Sequence, residues 1–189
     1  MVLTLPNILT FGRILAIPVL IALFFVTAPW GAWAALAVYT AAAVTDWADG
    51  KIARARGQIS PIGRMMDPIA DKMLVGAVVL LVVAFGRVEG VHILPALAIL
   101  LREFLVSGLR EFLAGQGAAG LPVSPLAKWK TAVQMVALGA LILADGGPVG
   151  AIAGPLGTAG LWLAAVLTVV TGWAYVVDGV RQAIEASRG

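Results

Sequence analysis

The chain has 189 residues, of which 61% are apolar and only 12% charged, and its mean hydropathy is +0.99. That balance excludes an ordinary water-soluble domain and points to a chain embedded in a bilayer. There is no cysteine, which excludes disulfides, thiolate-bound zinc, iron–sulfur clusters and a thiol nucleophile, and the lone His92 leaves little room for Ser–His chemistry.

The length suits one domain over residues 1–189. The first residues lack a basic n-region and a small-residue cleavage site, so no cleaved leader is expected. Residues 1–12 include Pro6 and Asn7 and suit a short interfacial helix, with Arg13 at the membrane edge. A first span is expected over Ile14–Pro29, kinked at Pro18. Trp30, Gly31 and Trp33 read as a tight turn at an interface. A second span follows over Ala32–Ile52 and carries Asp46 and Asp49 in its last turns.

Asp67 and Pro68 read as N-cap and first position of a third span, Pro68–Phe85. Gly86 to Gly90 form the next turn, and a fourth span, Val91–Leu113, contains Arg102, Glu103, Arg110 and Glu111. A loop rich in Gly and Ala covers 115–123. Ser124 and Pro125 then open a fifth span to Ala144, with Lys128 and Lys130 in its first turns. Asp145 to Pro148 make a turn, and a sixth span covers Leu156–Val177 before Asp178, Arg181 and a polar tail. The expected fold is therefore an all-α integral membrane protein with six transmembrane helices and a short N-terminal interfacial helix.

Six spans put both termini on one side. Every Lys and Arg except Arg87 falls on that side or in the adjoining half of the fourth span. The excess of basic residues marks it as cytoplasmic. His92 falls at the opposite interface, and no role is assigned to it.

The densest chemistry lies between Asp46 and Asp71. Taken as helix, the offsets among Asp46, Asp49, Gly50 and Ala53 place them on one stripe, and Asp67 and Asp71 stand one turn apart on the next helix. Four carboxylates together repel strongly, more so near lipid, and divalent cations would neutralise them. Oxygen donors alone favour Mg²⁺, Mn²⁺ or Ca²⁺ over zinc, and two such ions suit phosphoryl chemistry. Gly50, Ala53 and Gly63 lack bulk, which leaves room for a ligand near the backbone, and Arg54 is available to meet phosphate. The bland alternative is that small residues at helical spacing merely pack helices and that the Asp residues only cap helix ends. Four carboxylates in one place argue against it.

The ordered set Asp46, Asp49, Gly50, Ala53, Arg54, Gly63, Asp67 and Asp71, at these spacings, resembles the signature of the CDP-alcohol phosphatidyltransferases without departure. The resemblance implies two divalent metals per site, Mg²⁺ or Mn²⁺. Asp46, Asp49 and Asp67 match the metal ligands. Asp71 matches the general base, and the resemblance implies that it touches a metal as well. Asp46, Asp49, Gly50, Ala53, Arg54, Gly63 and Asp67 match the positions that hold the CDP moiety.

The segments from Asn7 to Arg13, Arg102 to Glu111 and Lys128 to Met135 (with Gln134) resemble the bacterial branch of that family whose acceptor is sn-glycerol 3-phosphate. The resemblance then implies CDP-diacylglycerol as donor and a lipid product left in the bilayer. It also implies a homodimer, the bacterial inner membrane as location, and an active site facing the cytoplasm. No nucleic-acid partner is expected. Arg102, Arg110, Lys128 and Lys130 are candidates for the acceptor phosphate. Arg102 and Arg110 share a helix face, whereas Lys128 and Lys130, two apart, do not, so one of the lysines should point inward. Glu103 and Glu111 read as partners that orient the arginines. Other acceptors in the family are inositol phosphate, serine or phosphatidylglycerol. From a different class, a divalent-cation transporter would place carboxylates at mid-membrane on several helices, and a packing subunit would have no chemistry at all.

Overall fold

The computed structural model describes residues 5–56, 61–115 and 125–186, with the side chains of 5–8, 46–56, 61, 62, 64, 174 and 183–186 outside the description. The described chain is helical apart from short turns: α1 Leu5–Phe24, α2 Pro29–Arg56, α3 Pro61–Ala84, α4 Ile93–Gly115, α5 Pro125–Ile142 and α6 Gly150–Ala186, with one 3₁₀ turn before α4 and two between α5 and α6. Among the described residues, three stretches are long and apolar enough to cross a membrane: Gly90–Gly115, Pro125–Asp145 and Gly147–Gln182. The protein is a membrane protein. Large apolar side chains such as Leu101, Val136 and Trp173 stand on the outside, where lipid rather than water is their natural neighbour.

Several element boundaries differ from those expected. Residues 5–12 continue directly into α1 instead of forming a separate interfacial helix. Pro6 falls in the first turn, where a missing N–H costs nothing, so proline does not end the helix. Trp30, Gly31 and Trp33 lie in the first turns of α2, and the reversal falls earlier, at 25–28. Pro29 disfavours helix in the residue before it and opens the next helix itself. Gly31 is required there. A Cβ would meet the Val26 carbonyl oxygen at 2.6 Å.

Asp67 is not an N-cap. α3 begins at Pro61, and Pro68 lies inside it. Both prolines can open a helix, but only Pro61 does. Pro68 forgoes one backbone bond, which membrane helices tolerate. α3 closes on Gly86, whose φ of 69° is left-handed. The Gly86 N–H donates to Val83 O, and Arg87 N–H to Val82 O, the pattern of a Schellman turn. α6 starts before Leu156 and runs past Val177, with Pro155 inside. Residues 116–124, including the expected loop and Ser124, lie outside the described residues.

The chain divides into two compact units, Met1–Val88 with Leu138–Gly157, and Glu89–Ala137 with Thr158–Gly189. In the first, α1 packs against both α2 and α3. Leu20, Phe24, Tyr39, Val78, Val82, Leu138, Leu141 and Ile142 are buried there. Gly139 allows α5 to approach Leu36 and Tyr39 closely. One polar latch closes this unit. The Arg87 guanidinium donates to Asp145 Oδ2 from Nε at 2.9 Å and to the Ile142 carbonyl from Nη1 at 2.6 Å, and it lies 4.1 Å over the Phe24 ring. Burial lowers the Arg87 pKa from its ordinary value, and the Asp145 charge works the other way. In the second unit, Val106, Leu113 and Tyr175 form a core with Leu109, and Gly179 leaves the space that the Leu109 side chain fills.

Candidate active site

Asp67 and Asp71 sit one turn apart in α3, and Gly63 lies one turn before Asp67 because the helix starts at Pro61. Gly63 is buried. The two carboxylates are met by α1. Thr10 Oγ1 donates to Asp67 Oδ1 at 2.6 Å, and Arg13 Nη1 pairs with Asp71 Oδ1 at 2.7 Å. Arg13 is fully buried, while 49% of the Asp71 side chain is exposed. Asp46, Asp49, Gly50, Ala53 and Arg54 occupy the last turns of α2, as expected, but their side chains lie outside the described residues. The expected meeting of all four carboxylates therefore also lies outside them. Among the described residues no three His, Asp or Glu side chains come together as a metal cage.

The donor chemistry of α3 fits a hard divalent cation. Asp67 offers oxygen alone, and a carboxylate has about four lone-pair positions, so one hydroxyl contact leaves room for a metal.

Thr10 and Arg13 are contacts that sequence reasoning did not assign to the site. The signal was available. Arg13 is the sole charge before Asp46, and a charge inside an apolar helix calls for a counter-charge. Thr10 stands three residues earlier, on the same face.

A second polar cluster is built within the second unit by α4, α5 and α6. Lys130 Nζ donates to Glu103 Oε1 at 2.5 Å, and Arg102 Nη1 reaches the same oxygen at 3.2 Å. Arg102 and Arg110, on one face of α4, both lie over the Tyr175 ring, at 5.6 and 4.9 Å, within cation–π range. Gly172 makes this possible. A Cβ there would stand 2.8 Å from Arg102 Cγ. Lys130 is buried, at 4% exposure, while Lys128 is exposed, so one lysine turns inward and the other outward. Glu103 is thus in contact with Arg102, and Glu111 is exposed. Gln134, one turn beyond Lys130, is buried, and its Oε1 has no donor among the described residues. His92, given no role, accepts a hydrogen bond at Nδ1 from Trp162 Nε1.

Residues 3–170 match a protein family described as CDP-alcohol phosphatidyltransferase. A CDP-diacylglycerol–glycerol-3-phosphate 3-phosphatidyltransferase of Rickettsia bellii is 45% identical over 90% of this chain and 92% of its own length. A protein of the same description from Cereibacter sphaeroides is 39% identical over 91% of this chain and 93% of its own. A CMP-forming cardiolipin synthase of Oryza sativa subsp. japonica is 44% identical over 74% of this chain and 46% of its own.

Proposed function

From the chain's membership of the CDP-alcohol phosphatidyltransferase family, we infer that it is an enzyme transferring the phosphatidyl group of CDP-diacylglycerol to sn-glycerol 3-phosphate, with release of CMP. The observation that carries this reading is the near-full-length likeness to relatives of that description, at 45% identity for the Rickettsia bellii protein. The signature residues in α2 and α3 support it from the chemical side.

In this reading Asp46, Asp49 and Asp67 hold divalent metal, Mg²⁺ or Mn²⁺, two ions per site, with Asp71 beside them. The metal, when bound, offsets the negative charge of the diphosphate and of the departing CMP. Gly50, Ala53, Arg54 and Gly63 line the CDP moiety. Asp71, an acceptor when ionised, takes the proton of the acceptor's primary hydroxyl. The hydroxyl oxygen forms a bond to the β-phosphorus of CDP-diacylglycerol, and the bond from that phosphorus to the bridging oxygen breaks. CMP leaves with the bridging oxygen, and phosphatidylglycerophosphate stays in the bilayer.

Arg102, Arg110 and the inward-turned Lys130 take the acceptor phosphate, and Lys128, which is exposed, drops out of the four expected cations. A buried lysine held by a carboxylate next to two arginines is a costly arrangement unless an anion uses it. The six helices cross the bilayer with both termini in the cytoplasm, and α5, at 18 residues, is still about 27 Å long. The enzyme works as a homodimer in a bacterial inner membrane.

The acceptor is tested by offering purified protein CDP-diacylglycerol and Mg²⁺ with labelled glycerol 3-phosphate in competition with phosphatidylglycerol, inositol phosphate and serine. Label should enter a lipid that runs as phosphatidylglycerophosphate. Cardiolipin as the main product would instead move the chain to the activity described for the rice relative.

A further inference from the structure

In the second unit, Arg102 Nε on α4, Gln134 Oε1 on α5 and Thr168 Oγ1 on α6 are buried polar atoms with no hydrogen-bond partner among the described residues. Gln134 is 2% exposed and Thr168 0%. A buried polar group left unpaired is costly, so each calls for an occupant. Thr171 shows what a helical threonine ordinarily does: its Oγ1 donates to the Leu167 carbonyl at 2.7 Å. Thr168 makes no such bond. The placement of Gln134 and Thr168 is shared. Gln134 is one turn beyond Lys130, which meets Glu103. Thr168 is one turn before Gly172, whose missing Cβ leaves room for Arg102. Further along, a Cβ at Gly160 would stand 3.0 Å from Ala137 Cβ, so α5 and α6 run antiparallel here and both steps lead the same way. Gln134 and Thr168 therefore lie about 6 Å along their helices from the cluster of Arg102 and Lys130, on the same side of it.

We propose that Gln134 and Thr168 form a subsite for a hydroxyl of the acceptor, the secondary hydroxyl of sn-glycerol 3-phosphate, and so select which phosphate-bearing alcohol is used. This rests on the acceptor reading given above. The unpaired atoms divide by chemistry. Arg102 Nε is a donor without an acceptor and suits a phosphate oxygen. Gln134 Oε1 is an acceptor without a donor; it would repel a phosphate oxygen and suits the proton of a neutral hydroxyl. The Thr168 hydroxyl can donate to the oxygen of that same group. In glycerol 3-phosphate the secondary hydroxyl stands on the carbon next to the one that bears the phosphate. With the phosphate held by Arg102 and Lys130, that hydroxyl comes within reach of the next turn of α5 and α6. The reacting primary hydroxyl lies on the other side of the same carbon and stays free. An acceptor without the secondary hydroxyl leaves the amide and the threonine unpaired at full cost, which is how a polar subsite rejects a smaller analogue. Gln134 and Thr168 touch no bond that is made or broken; their effect is on choice of acceptor.

The test compares two acceptors on the full-length protein in detergent with CDP-diacylglycerol and Mg²⁺. One is sn-glycerol 3-phosphate. The other is 3-hydroxypropyl phosphate, which keeps the phosphate and the primary hydroxyl and lacks the secondary one. The wild-type protein should favour glycerol 3-phosphate by roughly 10–100-fold in kcat/KM, the range for leaving buried partners unpaired. Gln134→Met, of similar length without the amide, should bring that ratio to within about threefold of one, and Thr168→Val should lower it in part. Neither variant should lower the thermal unfolding midpoint without substrate, because neither group has a partner to lose. Should Gln134→Met not fold, as judged by gel filtration and helical circular dichroism, Gln134→Leu takes its place. A wild-type protein that does not distinguish the two acceptors, or variants that keep the wild-type ratio, whether or not the midpoint falls, would overturn the subsite and leave the acceptor reading standing. A wild-type protein that transfers to neither phosphate but to another acceptor would overturn that reading itself, and this inference with it.

Discussion

In the proposed mechanism Asp71 is the residue on which the chemistry turns. Replacing it with Asn keeps the shape and the Arg13 contact but removes the ability to take a proton. Turnover should fall by roughly 10²–10⁴-fold, the usual contribution of a general base. Binding of CDP-diacylglycerol should change little, because nucleotide contacts are assigned to other residues. Equilibrium binding of a labelled CDP compound beside single-turnover kinetics separates the two; a variant with wild-type turnover would remove Asp71 from the base role. Gly172 gives a second residue-scale expectation. Its missing Cβ is the space that seats Arg102 beside Tyr175. Gly172→Ala must push the Arg102 side chain aside, so KM for glycerol 3-phosphate should rise roughly fivefold to tenfold while kcat changes less, the mark of lost uniform binding. An unchanged KM would place Arg102 outside the acceptor site.

At the scale of elements, the turn between α3 and α4 is held by more than its glycines. Arg87 ties it to Asp145 and to the carbonyl at the end of α5. Arg87→Met keeps the length of the side chain and loses these bonds. Thermal unfolding in detergent should shift downward, with a loss of about 1–3 kcal/mol for charged hydrogen bonds, and activity at low temperature should persist. An unchanged midpoint would mean that Schellman closure at Gly86 suffices.

The helices themselves were legible in the sequence because apolar runs of span length, broken by Gly, Pro and Asp, leave few alternatives. Boundaries were less so. Proline can open a helix or ride inside one, and local sequence did not separate Pro61 from Pro68 or show that Pro29 rather than Gly31 starts α2. The Asp signature was legible as a pattern. Its Thr10 and Arg13 partners were not, because they lie more than 50 residues away in the chain and only packing of α1 on α3 brings them in. The inward turn of Lys130 was foreseen as one of two options, and the structure chose it.

At the scale of the molecule, the placement of charge implies a topology that can be checked directly. The native chain has no cysteine, so single-cysteine variants report one position each. In intact cells, Glu89→Cys should react with a membrane-impermeant maleimide, and Lys128→Cys should react only after permeabilisation. The reverse pattern would invert the orientation and put the Asp signature on the wrong side for cytoplasmic CDP-linked substrates.

The central claim is that the chain passes the phosphatidyl group of CDP-diacylglycerol to sn-glycerol 3-phosphate and releases CMP. The most direct measurement is CMP release by the purified protein with CDP-diacylglycerol and Mg²⁺, with and without sn-glycerol 3-phosphate. Release that requires glycerol 3-phosphate, and matches phosphatidylglycerophosphate formed mole for mole, is the expected result. No release with any acceptor or metal from folded protein would contradict the account and direct attention to divalent-cation transport.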